Sequence, residues 1–292
     1  MKLLIFSHQK CLDSVLLNIL GFQSFRYTLG KTLYWLKYNF FNKKKENVDE
    51  NLLSEVYQKG YAQKENFLED DEFHKIKKEF DIAIFESNSA VEKDSYDDNK
   101  KLHEAIEHRT FIVDETCKDK YPALYKLKNN SYIKNLFSSL ELKKNVDIFC
   151  RLERIYVINN KIHDNNRDFH YDTFHNTFKA WLFLDDVKED NGPYHQIPYS
   201  HKFQIKRFFF EWWRSILYAL KISSVSSFRV EQGDKPKLRE FYNDKSIKAI
   251  VPKNTLVCAN PHGLHRRGDA KNDSVRVSVQ FWTRENPLKI FL

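Results

Sequence analysis

The hydrophobic pattern of this chain changes near residue 145, and that change limits the folds open to it. Before it, apolar residues recur three or four positions apart, and several of these runs begin near Asp or Asn, as amphipathic helices do. We therefore predict that the first half of the chain is helical. The predicted helices span residues 12–25, 30–42, 51–64, 71–80, 99–108 and 132–144.

The second half of the chain contains short runs rich in Val, Ile, Phe and Tyr, bounded by Asn, Asp, Gly and Pro, which is typical of β-strands. Residues 204–222 instead repeat apolar side chains at helical spacing and predict an inserted helix, which could serve as a substrate lid, a dimer patch or part of the core. Many short strands after a helical block predict a β-barrel or jelly roll wrapped by helices, as one domain. The predicted strands span 148–157, 169–174, 178–184, 194–198, 248–251, 255–259 and 274–282.

The composition indicates a folded protein. With 24 Phe, 15 Tyr and 5 Trp among 292 residues, the chain has ample aromatic side chains for a core, which excludes a disordered protein. The apolar run at the N-terminus is cut short at Ser7 without a cleavage site, so a secretory signal is not predicted. No CxxC pair occurs, which favours reduced thiols and a cytoplasmic location; the cysteines are Cys11, Cys117, Cys150 and Cys258.

Positive charge is concentrated at the N-terminus. The chain carries 48 Lys and Arg against 40 Asp and Glu, and residues 1–45 hold eight of the cations with a single acid, Asp13. These cations are interleaved with aromatic residues, a pattern that suits anionic lipid headgroups, so we predict a peripheral membrane contact through this basic aromatic N-terminus. The alternative is a helix packed on the core with its lysines in solvent. Nucleic acid is not a predicted partner, because enzymes that act on nucleic acid more often carry their basic residues around the active site, whereas here they lie in the N-terminal segment.

Two separate stretches carry candidate metal ligands. His170 and Asp172 lie two positions apart in a predicted strand, so both side chains should project from the same face. A third ligand is available in residues 260–268, where His265 precedes the last strand. Two histidines and one carboxylate on a barrel form the facial triad of Fe(II) oxygenases, which leaves positions open for a bidentate co-substrate and O₂. Arg276 and Ser278, on one face of the last strand, could bind the far carboxylate of 2-oxoglutarate.

At these residues the chain resembles the phytanoyl-CoA dioxygenase-like (PhyH-like) family of Fe(II)/2-oxoglutarate oxygenases. The resemblance covers about residues 145–285 and includes the strand 180–186, the Asn-Gly-Pro turn at 191–193 and residues 197–202, with Tyr199 in place of the family's glycine. It implies a double-stranded β-helix (cupin-like jelly roll), with residues 1–145 as a helical surround and 146–285 as the core. It also implies iron ligation by His170, Asp172 and His265, and 2-oxoglutarate binding by Arg276 with Ser278.

Other polar residues compete for these roles. His262 is an alternative third ligand, but the pattern around His265 matches the family better, and His262 is expected in a loop or behind the ligands. Asp185 and Asp186 follow an apolar strand and are expected to be turn or cap residues. His163 lies in an Asn-rich turn, and His175 is an odd number of positions from His170, so neither enters the triad.

The resemblance implies an enzyme that hydroxylates a C–H bond while 2-oxoglutarate and O₂ are consumed. Retention of Asp172 disfavours halogenation, because related iron halogenases leave this position to a small residue. The basic N-terminus suggests a small substrate that is lipid-linked or contains a sugar. The alternatives are a non-catalytic cupin-type binding module, or an oxygenase acting on a peptide or nucleic acid.

Overall fold

The structure is a computed structural model that describes residues 11–12, 14–41, 48–87, 102–162, 164–222 and 244–283. Most of its helices precede residue 145, as the hydrophobic pattern predicts. Within the described residues, no helix has the length and apolar character needed to cross a bilayer. The helices are α1 (Val15–Ile19), α2 (Phe22–Phe41), α3 (Glu50–Lys59), α4 (Asp70–Glu86), α5 (Leu102–Ala105), α6 (Cys117–Lys120), α7 (Pro122–Lys128), α8 (Ser131–Leu140) and α9 (Ile205–Ala219).

Two antiparallel sheets form the β core. The larger has the strand order β1-β7-β4-β9-β3-β2, and the smaller has the order β6-β5-β8. Two such sheets around a central cavity make the predicted jelly roll. The strands are β1 (Tyr61–Lys64), β2 (Ile106–Ile112), β3 (Phe149–Val157), β4 (Lys179–Phe183), β5 (Tyr194–Gln196), β6 (Ile247–Lys248), β7 (Thr255–Ala259), β8 (His265–Arg267) and β9 (Val275–Trp282).

The large sheet has two chemically different faces. On one, Leu152, Leu182 and Val279 pack against the helical half in the main hydrophobic core. On the other, the residues that alternate with them, such as Trp181 and Gln280, face a cavity between the two sheets. Because side chains alternate along a strand, each core strand of this sheet supplies both the hydrophobic core and the cavity wall.

Several element boundaries differ from the sequence prediction because tertiary pairing overrides local pattern. The predicted helix 51–64 ends at Lys59, since Gly60 adopts a left-handed φ of 84° and the next four residues pair with β7. The predicted helix 99–108 gives way to β2, which pairs along its whole length with β3. Residues 169–174 form no strand; within them, His170 makes a single bridge to His265.

Candidate metal centre

His170, Asp172 and His265 meet at the wall of the cavity, and their ligand atoms all lie within 4.8 Å of one another. Oδ1 of Asp172 is 3.5 Å from Nε2 of each histidine. The backbones of His170 and His265 exchange hydrogen bonds of 2.9 and 3.0 Å, and the Asp172 amide donates to the carbonyl of Pro261. A bridge between two distant segments, rather than one continuous strand, therefore brings the three residues together.

The orientation of both imidazole rings is set by their own chain. Nδ1 of His170 lies 2.7 Å from the carbonyl oxygen of Asp168, and Nδ1 of His265 lies 3.0 Å from that of Gly263. A carbonyl oxygen only accepts hydrogen bonds, so each Nδ1 carries a proton, and in the neutral ring the lone pair is then on Nε2. Both lone pairs are then available to a metal ion, as in histidine sites whose second nitrogen is held by a carbonyl.

Lys179, at the start of β4, holds the other oxygen of the candidate ligand carboxylate. Its Nζ lies 2.7 Å from Oδ2 of Asp172. Burial opposes ionisation of Asp172, but Lys179 and His265 outweigh it and hold the pKa of this carboxyl well below its usual range. Asp172 is therefore an anion, with one oxygen directed to the histidines and one bound by a lysine.

The cavity beside these residues has a volume of about 370 Å³. Tyr194 from β5 stacks on the ring of His265 with a centroid separation of 5.5 Å, and Trp181 packs on Tyr194 at 5.0 Å. Tyr194 is buried, which raises the pKa of its hydroxyl well above the usual value. These two rings form an apolar wall that shields one side of the histidine pair from water.

Arg276 lines the same cavity from β9, and its guanidinium donates to the carbonyl oxygen of Gly192. Gly192 sits in the Asn-Gly-Pro turn with φ of 75°, so this turn is what holds the arginine. Burial lowers the pKa of Arg276, and the nearby Glu153 carboxylate opposes that shift. Ser278 is buried on the same face of β9, between Arg276 and Gln280, and does not itself line the cavity.

Glu153 on β3 is the acid of this part of the cavity. His108 on β2 lies 3.0 Å from it and Arg151 lies 3.4 Å away. Burial opposes its ionisation, but His108, Arg151 and Arg276 together hold its pKa far below the usual range. Alternation along β3 places Arg151 and Glu153 on the cavity face, and their spacing of two in a predicted strand already indicates a shared face.

The cavity contains more basic residues than the charge distribution along the sequence predicts. Each has an acidic neighbour, so the lining is a set of internal ion pairs rather than an open basic groove. Burial lowers the pKa of Arg267 to about 9, and Arg276 contributes to this shift. The cations and their acidic neighbours are Arg151 with Glu153, Lys179 with Asp172, Arg266 with Asp269, Arg267 with Asp164, and Arg276 with Glu153.

A family model described as phytanoyl-CoA dioxygenase (PhyH) matches residues 56–234, more than half of the chain. The chain belongs to this family. It is therefore an Fe(II)- and 2-oxoglutarate-dependent dioxygenase, with O₂ as co-substrate, which confirms the resemblance identified from the motifs. The matched region begins well before residue 145, so residues 56–145 of the helical half share in the family likeness that the motifs placed only in the second half.

Solved structures show the same fold as this PhyH-family chain at low sequence identity. The epimerase SnoN, solved with Fe³⁺, alpha ketoglutarate and nogalamycin RO, is 14% identical, with a TM-score of 0.50 over 80% of this chain and 82% of SnoN. EctD from S. alaskensis, solved with bound Fe, is 12% identical, with a TM-score of 0.51 over 82% of this chain and 79% of EctD. No curated protein sequence matches the chain.

His262 lies outside the candidate triad of this PhyH-family protein. Its Nδ1 is 3.0 Å from the carbonyl oxygen of Thr173 and 3.1 Å from a guanidinium nitrogen of Arg207. The guanidinium of Arg207 also donates to the carbonyl oxygens of His262 and Thr173. Burial, reinforced by Arg207, lowers the pKa of His262 well below its usual value. Arg207 on α9 thus ties together the loop after Asp172 and the loop before His265.

The remaining polar candidates have structural contacts. Asp186 accepts a hydrogen bond from the Lys253 amide, and Asp185 pairs with Lys77, as expected for turn residues. His175 contacts the carbonyl of Asn176, and His163 lies outside the described residues. Tyr199 adopts a φ of 63°, the left-handed conformation that explains glycine at this position in the family pattern.

Proposed function

We propose that this dioxygenase hydroxylates a C–H bond of a small molecule, with iron held by His170, Asp172 and His265. The observation that carries the proposal is the convergence of three ligand atoms within 4.8 Å at a cavity that also contains Arg276. A cavity of about 370 Å³ falls in the size range of small-molecule sites. That range favours a small substrate over a peptide or nucleic acid.

The donor set suits Fe(II). Two neutral imidazole Nε2 atoms and one carboxylate oxygen form the facial triad that non-haem Fe(II) oxygenases use. When bound, iron supplies the open coordination positions and the redox chemistry that couple decarboxylation of 2-oxoglutarate to oxidation of the substrate. The retained carboxylate of Asp172 occupies the position that halogenases leave open, so we propose hydroxylation rather than halogenation.

Arg276 is proposed to bind the far carboxylate of 2-oxoglutarate. A guanidinium presents two parallel N–H donors to a carboxylate, and Arg276 is positioned by its bond to the Gly192 carbonyl. The carboxylate of Glu153 lies near this guanidinium and opposes the effect of burial on its pKa. The family resemblance also implies a role for Ser278, and we propose that it contributes from its buried position beside Arg276 on the same face of β9, although it does not itself line the cavity.

The other residues around the triad hold the ligands and exclude water. Lys179 fixes Oδ2 of Asp172, which leaves Oδ1 to face both histidines. Tyr194 and Trp181 cover the side of His265 with aromatic surface. Retention of this complete arrangement supports an enzyme over a non-catalytic cupin-type module, because a binding module has no need of it.

The proposal extends to the finer predictions on substrate, organisation and location. We propose one oxygenase domain, in which the helical half packs on the core face of the large sheet that carries the site. The four free cysteines fit the proposed cytoplasmic location. A lipid-linked or sugar-containing substrate, reached by peripheral membrane contact, is the substrate class that we propose to screen first.

Anaerobic titration with Fe(II) and 2-oxoglutarate tests the site. Wild-type protein should develop the visible charge-transfer band of 2-oxoglutarate chelated to Fe(II). Asp172→Asn should abolish the band, whereas the matched control Asp185→Asn, in an exposed turn, should retain it. Absence of both iron and 2-oxoglutarate binding in wild-type protein would overturn the proposal. Substrate-dependent release of succinate, with a product heavier by one oxygen atom, tests hydroxylation.

A further inference from the structure

Helices α2 and α9 pack against each other through polar side chains. Glu211 accepts hydrogen bonds from Gln23 at 3.1 Å and from Arg207 at 2.8 Å, and Arg26 donates to Gln23 at 3.2 Å. Arg207 and Glu211 are fully buried. The buried stripe of α9 is therefore formed by Arg207, Glu211 and Ser215, and not by the apolar residues whose helical spacing predicted the helix.

Several large apolar side chains of these helices point to solvent instead. Six large apolar residues on or next to α1, α2 and α9 are each 51% to 66% exposed. A surface helix of a globular protein normally shows the opposite arrangement, with its apolar stripe on the core. The exposed residues are Leu16, Leu20, Phe25, Trp35, Phe209 and Trp213.

Within residues 14–41 and 200–222, the exposed charge has one sign. Residues 14–41 contain no acid, and the acid in residues 200–222 is Glu211, which is buried. Lys202, Lys206 and Lys221 are exposed on or beside α9. An apolar surface with aromatic side chains and flanking lysines is the composition of segments that lie in the interface of an anionic bilayer.

The described cations of α2, which suggested membrane contact in the sequence, do not face the solvent side of this helix. The guanidinium of Arg26 lies 4.0 Å from the centre of the Phe174 ring, and Nζ of Lys31 donates to Asn176 at 2.6 Å. Lys37 is also buried. Within the described part of α2, the cations therefore point inward while Trp35 points outward, so the aromatic residues and not the lysines of this helix are available to a membrane.

We infer that the exposed side of α1, α2 and α9 is a docking face for the surface of a membrane that contains anionic lipid. The docking face combines aromatic and aliphatic side chains, which enter the headgroup region, with the three exposed lysines near α9, which attract anionic headgroups. This inference is independent of the proposed hydroxylation. It depends on the outer side of these helices, whereas their inner side packs toward the candidate metal centre.

The same charge pattern argues against a second copy of the chain as the occupant. In a two-fold dimer the same patch of each partner lies in the interface. Because the helices of this face have exposed lysines and no exposed acid, such a dimer would bring the lysines of the two copies close together, and they would repel each other. A membrane with anionic headgroups supplies the complementary charge.

The docking face lies directly behind the metal loops. Arg207, on the inner side of α9, donates to the carbonyl oxygens of Thr173 and His262, which flank the segments that carry Asp172 and His265. An enzyme held on a bilayer by this face has its metal loops close to the lipid surface.

Vesicle co-sedimentation of the full chain tests the docking face. Wild-type protein should bind vesicles of phosphatidylcholine with phosphatidylglycerol, and bind vesicles of phosphatidylcholine alone at least tenfold more weakly. High salt should weaken the binding to anionic vesicles, because it screens the lysines. Failure to bind anionic vesicles at low salt would overturn the inference.

Two sets of variants separate the apolar and charged contributions. Phe209→Ser with Trp213→Ser should reduce anionic-vesicle binding at least tenfold, as should Lys202→Glu with Lys206→Glu and Lys221→Glu. The matched controls are Phe85→Ser on α4 and a triple Lys→Glu change at the exposed Lys75, Lys118 and Lys253, which should bind as wild type does. Equal binding by docking-face and control variants would contradict the inference, as would a wild-type dimer in sedimentation velocity that Phe209→Ser with Trp213→Ser dissociates.

Discussion

Nζ of Lys179 lies 2.7 Å from Oδ2 of Asp172, while Oδ1 of the same carboxylate lies 3.5 Å from Nε2 of both His170 and His265. One oxygen of the candidate ligand is thus held by a cation, and the other faces the two histidines. This division of roles orients the carboxylate before any metal binds. Lys179 is seven residues from Asp172 in the sequence and reaches it from β4.

Lys179→Met should weaken Fe(II) binding about tenfold. Loss of a group that holds a metal ligand typically costs roughly 10- to 100-fold in affinity, and we expect the lower end because removal of a cation also relieves repulsion of Fe²⁺. Anaerobic competition with a chelator measures the dissociation constant. Lys179→Arg, which keeps the charge and a donor, is the control and should bind more tightly than Lys179→Met. Tighter binding by Lys179→Met than by wild type would show that repulsion dominates.

Arg276→Ala should weaken 2-oxoglutarate binding roughly 10- to 150-fold. A hydrogen bond to a charged partner contributes about 1.5–3 kcal/mol, which corresponds to that range. Arg276→Lys should lose less, because it keeps the charge but not the planar pair of donors. Titration of the Fe(II)-loaded protein with 2-oxoglutarate measures the change. Fe(II) affinity without 2-oxoglutarate should stay at the wild-type value; a parallel loss would mean that Arg276 supports the metal site instead.

Arg207→Met should lower the free energy of unfolding by about 3–5 kcal/mol. The substitution leaves the carboxylate of Glu211 buried without its main cation, and breaking a buried pair in this way has that cost. Urea unfolding followed by circular dichroism measures the change. The double variant Arg207→Met with Glu211→Leu should recover part of the loss, since neither charge of this buried pair then remains. Lys206→Met, at the neighbouring exposed position, should change stability by no more than about 0.5 kcal/mol.

Stability should fall as the pH is lowered from about 6.5 toward 4. Burial lowers the pKa of His195 to about 3. Burial also lowers the pKa of His201 to about 4, although the hydrogen bond of His201 to Tyr57 acts in the opposite direction. In this range the unfolded chain takes up protons at these histidines and the folded chain does not, so acid favours unfolding. Each histidine contributes up to about 1.4 kcal/mol per pH unit.

Urea unfolding at several pH values between 7.5 and 5 measures this slope. Nε2 of His201 donates to the Tyr57 carbonyl at 3.0 Å, and glutamine can supply a donor at that position. His201→Gln should therefore flatten the slope by about one histidine's share. An unchanged slope in this variant would contradict the assignment of His201 as one of the responsible groups.

The amino-acid sequence by itself was sufficient to find the candidate ligands and the β core. His170, Asp172, His265 and Arg276 stand at spacings that the family motifs specify, and the strands that carry or flank them have a strong local preference for extended structure. The strand predicted at residues 169–174 does not form, and His170 and Asp172 meet His265 through a single bridge.

Only the tertiary structure decided what surrounds those ligands and which side of α9 faces inward. The contact of Lys179 with Asp172 and that of Arg207 with Thr173 and His262 join segments whose approach depends on the packing of whole elements. Helical periodicity shows that α9 is amphipathic, but it does not say that the polar stripe is buried. That orientation follows from buried partners on α2 and in the metal loops, and no local pattern in the sequence contains them.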